Sequence, residues 1–209
     1  DHDVYQGNIW GAGGKKARDD GNQKQQQDSG GYTMDPLFVN AVHRTQVSHL
    51  PDPYDPTPIL QGITPYHTRI EYAGLSFAVL ADRMFKSSPT VMVPEGDVVN
   101  GWFEKPDFDI VANADAPGAV LLGESQLAFL EDWAADWRSG AEMKIVLSQT
   151  IFNNVATLPS HAINDTVVPG MRQPEFPGEY MEGDKIVADG DSNAWPPSGR
   201  NRALRAMRK

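Results

Sequence analysis

The residues best equipped for chemistry come first in the chain. Asp1, His2 and Asp3 set a carboxylate, an imidazole and a second carboxylate side by side, with Gly7 and Asn8 shortly after. Asp1 offers hard oxygen to a metal ion. His2 titrates near neutrality and can donate a proton, and Asp3 can fix which ring nitrogen carries it. The plain alternative is a solvated chain start, because Asp and His are common in exposed loops and terminal segments fray.

A turn carrying these groups needs a sheet and helices behind it. Tyr66 to Tyr72 alternates Thr68, Ile70 and Tyr72, and Leu75 to Ala81 is an apolar run. These read as two strands joined by a turn at Ala73-Gly74. Met143 to Gln149 reads as a further apolar strand. Asp35-Pro36 starts a helical pattern that places Phe38, Val39, Val42 and Val47 on one side. His43 and His49 are expected there as surface or capping residues, having no second ligand at helical spacing. Glu124 to Trp137 is the clearest helix, with Leu127, Leu130, Ala134 and Trp137 on one stripe and Arg138-Ser139-Gly140 as its stop. A last amphipathic helix spans Ser198 to Lys209, with Leu204 and Met207 on one side.

Between these lie long irregular stretches. Gly11 to Gly31 is polar and Gln-rich and lacks either apolar period. Leu50 to Pro65 is a stiff, proline-rich cover, with Pro51, Pro53, Pro56 and Pro58 close together. Ser87 to Pro117 and Leu158 to Ala188 read as irregular excursions; the acids of the former lack EF-hand spacing. The 19 Gly and 16 Pro among 209 residues agree with so much loop, and the length fits one α/β unit over 1–209.

A formal charge of −10 repels phosphate backbones and anionic lipid, which argues against a main role in nucleic-acid or membrane-surface binding. Bound metal could invert that field locally and admit a small anionic ligand. The chain has no cysteine, so neither a disulfide framework nor a thiolate metal site is available. No apolar run reaches the ~20 residues of a membrane span. The oligomeric state is not legible.

The triplet resembles the Asp-His-Asp/Glu box of PhoD-like alkaline phosphatases and phosphodiesterases, within the calcineurin-like metallophosphoesterases. The resemblance continues in family order through Gly30-Gly31-Tyr32, Val42 to Pro53, Gln61 to Thr64, Ala81 to Lys86, Leu122 to Leu130 and Asp191 to Arg202. It implies a partial metallophosphoesterase-type αββα sandwich with long Pro/Gly-rich loops. It implies metal-dependent hydrolysis of phosphate esters, iron and calcium as the expected metals, and an extracellular or periplasmic location. Asp1 becomes the metal ligand, His2 the general acid and Asp3 its orienting partner. Asn8, Arg83, Asp191, Asn193 and Arg200 fall on the substrate side.

Two departures from the family pattern stand out. Ala81 occupies the acidic position of an Asp-Thr-Arg-x-x-Arg pattern, leaving Arg83 as either a phosphate-side cation or a structural ion-pair partner. The strand ending Ser148-Gln149 lacks the metal-binding His of the wider superfamily, a ligand the PhoD-type pattern does not demand; His161 is its possible replacement or a polar loop residue. The family's upstream acidic ligands and downstream Gly-Asp-x-His box do not occur between Asp1 and Lys209. The expectation is therefore the central piece of a larger enzyme, unable by itself to assemble the metal centre. Two other readings are a noncatalytic binding module that kept the fold and lost the metals, and a carbohydrate- or polymer-binding domain using its Trp and Tyr residues. The last needs aromatic side chains on one exposed face, and placing Trp133 and Trp137 on a buried stripe argues against it.

Overall fold

In the computed structural model, residues 34–59, 62–99, 101–105, 107–113, 115–152, 156–162, 175–176, 179–187, 190 and 195–209 are described. The protein combines helices with strands in small sheets, a general α/β arrangement. The central sheet grows from the turn at Ala73 and Gly74, where φ is +50° and +79°. Two successive positive φ values match the right-handed twist of the strands they join. β1 (Thr68–Tyr72) and β2 (Leu75–Val79) pair antiparallel from Tyr72 opposite Leu75 to Thr68 opposite Val79. β5 (Met143–Leu147) then adds in parallel on the far side of β2, giving the order β1-β2-β5. The chain between these parallel strands includes α2 (Asp82–Phe85), α3 (Pro89–Met92) and α4 (Ile110–Asn113). It also holds the short antiparallel pair of β3 (Val98–Val99) with β4 (Trp102–Phe103) and the long α5 (Gly123–Ala135).

The main core lies where α5 and α6 (Pro197–Ala206) meet the sheet. Ala78 and Leu80 pack there with Phe129, Leu130 and Trp133 of α5 and Ala203 of α6. The Trp133 indole N–H donates to Ser76 Oγ at 2.9 Å, so this large ring is buried with its polar atom satisfied. A second cluster joins α1 (Pro36–Val47) to the end of β2 through Val39, Ile63, Ala81 and Phe85. The carboxylate of Asp35 caps α1 by accepting from the Leu37 N–H at 2.8 Å, and Pro36 begins the helix without a donor to lose.

Four expectations need correction. His43 is buried at 4% exposure, because the inward face of α1 is Val39–His43, one turn apart, while Phe38 is 46% exposed. Its Nδ1–H donates to the Thr64 carbonyl at 2.9 Å, and the ring stands edge-on to Tyr66. Trp137 is 53% exposed, because α5 ends at Ala135 and the extended backbone of Asp136 breaks the stripe. In α6 the residues turned to the core are Ala203 and Ala206, and Leu204 is 42% exposed. Both irregular excursions include order: Ser87 to Pro117 holds α3, the β3–β4 pair and α4, and in the excursion from Leu158 to Ala188 β6 (Ala156–Pro159) pairs antiparallel with β7 (Asp184–Val187).

Candidate functional site

The carboxyl ends of β2 and β5 lie side by side, as parallel pairing requires; β2 continues through Leu80 and Ala81 into α2, and β5 into the polar stretch Ser148-Gln149-Thr150. Such a paired edge is where α/β sheets commonly present residues to a ligand. β2 delivers Leu80, Ala81 and then Asp82, a carboxylate with no exposed surface. Asp82 Oδ2 accepts from the Ser148 hydroxyl and from the Thr150 N–H, each at 2.7 Å. Its Oδ1 accepts from the N–H groups of Arg83 and Gln149 at 3.1 and 3.3 Å. Asp82 thereby fixes the turn that carries Arg83 against the turn after β5. The Ala81 N–H donates to Gln126 Oε1 at 2.7 Å, which anchors the same turn to α5.

Of the residues assigned to the site from the sequence, Arg83 lies half-buried in α2 at this edge, and Arg200 lies half-buried in α6. Asp1, His2, Asp3, Asn8, Asp191 and Asn193 lie outside the described residues. His161 is exposed in the turn after β6. Among the described residues no group of three or more His, Asp or Glu is placed to hold a metal ion.

The structure also assembles groups that sequence reasoning passed over. His67, fully buried just before β1, has Nε2 3.1 Å from Ser125 Oγ, and Ser125 donates to Asp55 Oδ2 at 3.1 Å. A hydroxyl has one proton, so once it goes to the carboxylate, Nε2 must carry its own hydrogen and donate to Oγ. Nδ1 is then a bare, buried nitrogen with no hydrogen-bond partner. Burial pushes the His67 imidazole down to about 4, against the attraction of the nearby Asp55 carboxylate. Thr57, through its backbone N–H and hydroxyl, holds the Asp55 carboxyl below the usual range. The order imidazole–hydroxyl–carboxylate leaves Ser125 without a basic nitrogen to activate it, so the chain pins the loop before β1 to α5. No spacing rule could have found these three, which come from separate segments.

No protein-family model, curated protein or solved structure matches the chain.

An open cleft of about 710 Å³ lies between β1 and the end of α5. Tyr54, Phe129, Trp133 and Trp137 give it aromatic walls, and Arg69, Asp132, Asp136 and Arg138 give it charge. The Tyr54 hydroxyl donates to Asp132 Oδ2 at 2.5 Å, and that bond pushes the phenol's pKa up. Asp136 takes Arg138 in a bidentate pair at 2.8 and 3.0 Å and Arg69 at 3.0 Å. The Arg138 guanidinium, with Arg69, holds the Asp136 carboxyl well below the usual range. Behind the cleft, Lys144 donates to the carbonyls of Trp133 and Ala134, the latter at 2.8 Å, and its ammonium stands 4.3 Å from the Trp137 ring centre. A cation there stabilises the carbonyl end of α5 and orients the indole.

Proposed function

We propose that this chain is the central part of a PhoD-like metal-dependent phosphoesterase, with a small phosphate ester as substrate. The observation that carries this reading is the Asp1-His2-Asp3 triplet followed by the resembling segments in family order along nearly the whole chain. The fold supports it in one respect. The segment Ala81 to Lys86 leaves a central strand at its carboxyl end, beside a parallel neighbour, an edge at which α/β sheets commonly present residues to a ligand. In this reading β1-β2-β5 with α5 on it is part of an αββα sandwich.

His2 donates the proton that the leaving alkoxide needs, and Asp3 keeps the donating nitrogen protonated and aimed. Arg83 and Arg200 supply positive charge to the non-bridging phosphoryl oxygens, and Asn8, Asp191 and Asn193 are the further substrate-side residues of the resemblance. Asp1 contributes one metal ligand; the remaining ligands come from residues other than the described ones, with iron and calcium the metals of the resemblance. Such metals, when bound, neutralise phosphoryl charge. The family's usual site of action is extracellular or periplasmic.

The test is turnover by the product of the complete open reading frame. With iron and calcium supplied, it should hydrolyse p-nitrophenyl phosphate or its bis-ester, and a chelator should abolish the reaction. Absence of turnover of both esters under these conditions overturns the reading.

A further inference from the structure

We propose that the cleft between β1 and the end of α5 binds a neutral saccharide. The proposal rests on Tyr54, Trp137, Asp132, Asp136, Arg69 and Arg138, none of which belongs to the phosphoesterase reading. Its volume, about 710 Å³, lies within the range of small-molecule sites. Two aromatic side chains on it stay exposed, Trp137 at 53% and Tyr54 at 44%. Exposed aromatic rings on a concave surface offer a flat apolar face with a polar edge, which suits the C–H face and hydroxyl rim of a sugar ring.

The charges choose between ligand classes. The cleft is lined by two carboxylates and two guanidiniums, which cancel. Asp136 is already engaged by both arginines. Beside it, Glu71 pairs with Arg69 at 3.3 Å and the Lys144 ammonium stands 4.3 Å from the Trp137 ring, so the surroundings stay close to balance and no strong local field selects an ion. Hydrogen-bonding capacity does remain. Among the described residues, Asp132 Oδ1, Arg69 Nη2 and Arg138 Nη1 have no protein partner, so one acceptor and two donor atoms remain for a ligand. Asp136 orients Arg69, and the Tyr54 hydroxyl orients Asp132, whereas Arg138, 90% exposed, stands at the rim. Vicinal hydroxyls, each both donor and acceptor, match that set better than a phosphate, which only accepts, or an ammonium, which only donates.

The experiment is titration of the chain with maltotriose, cellotriose, mannotriose and N,N′,N″-triacetylchitotriose, followed by heat and by tryptophan fluorescence. At least one should bind saturably, with a Kd at or below ~1 mM and little dependence on salt. Trp137→Ala should weaken it by about tenfold or more. Asp132→Asn should weaken it too while leaving the melting temperature unchanged, which separates loss of binding from loss of fold. The proposal falls if none of the four saturates below ~10 mM, or if both variants bind as the parent does. It also falls if glucose 6-phosphate binds more tightly than every neutral sugar and is displaced by salt.

Discussion

The buried carboxylate of Asp82 accepts the Ser148 hydroxyl at 2.7 Å, joining the turn after β2 to the turn after β5. Two strands that are 66 residues apart at this point are thus tied at one end by a single side chain. With the Arg83, Gln149 and Thr150 N–H groups, every bond to Asp82 arrives from a donor. Asp82→Ala strands these donors and should cost ~3 kcal/mol in urea unfolding. Asp82→Asn keeps the shape but points an NH2 group at two donors, so it should cost ~2 kcal/mol and not rescue the protein.

Acid should destabilise the fold through His67. Its folded pKa of about 4 lies below the unfolded value of 6.5, so the unfolded chain binds the extra proton more readily. Stability from this group is fully present above pH ~6.5, declines as pH falls through the window to ~4, and is then lost, an amount of ~3 kcal/mol. Burial lowers His43 as well, and its contribution has the same sign. Urea midpoints measured from pH 7 to pH 4 should fall, and His67→Phe should flatten that slope.

Gly123 begins α5 with φ at +73°, and an added Cβ would stand 2.7 Å from Phe85 Cδ1. Both the backbone conformation and the close approach exclude a side chain. Gly123→Ala should therefore destabilise by ~2 kcal/mol, whereas Gly140→Ala, with positive φ but open space around it, should cost ~1 kcal/mol. Thermal melting of the two variants gives the comparison.

Ser76 Oγ receives the Trp133 indole N–H and donates to Glu71 Oε1 at 2.8 Å. Ser76→Ala leaves the buried indole nitrogen unpaired and should cost ~1–2 kcal/mol. Trp133→Phe combined with Ser76→Ala should cost less than the sum of the single changes, because the two lose the same bond.

For the phosphoesterase reading, His2→Ala in the complete gene product should reduce kcat by about 10²–10⁴ for an alkyl phosphate. The loss should be smaller for p-nitrophenyl phosphate, whose leaving group departs without a proton. Equal losses on both esters would exclude proton donation by His2.

The strongest local patterns were already visible in the chain itself. Ala73-Gly74 between two β-forming runs dictated the hairpin, Asp35-Pro36 dictated the start of α1, and the apolar spacing of Leu127, Leu130 and Ala134 dictated α5. Each depends on contacts within a few residues, so neighbours in sequence suffice to specify it. Tertiary structure alone decided that His43 faces inward, that Trp137 faces a cleft beside Tyr54, and that His67 meets Ser125 and Asp55. A carboxylate after an apolar run is visible in the sequence, yet the burial of Asp82 follows from donors 66 to 68 residues further along. Those partners are brought within reach only when β5 pairs with β2, and no local spacing encodes which distant donor a polar side chain will meet.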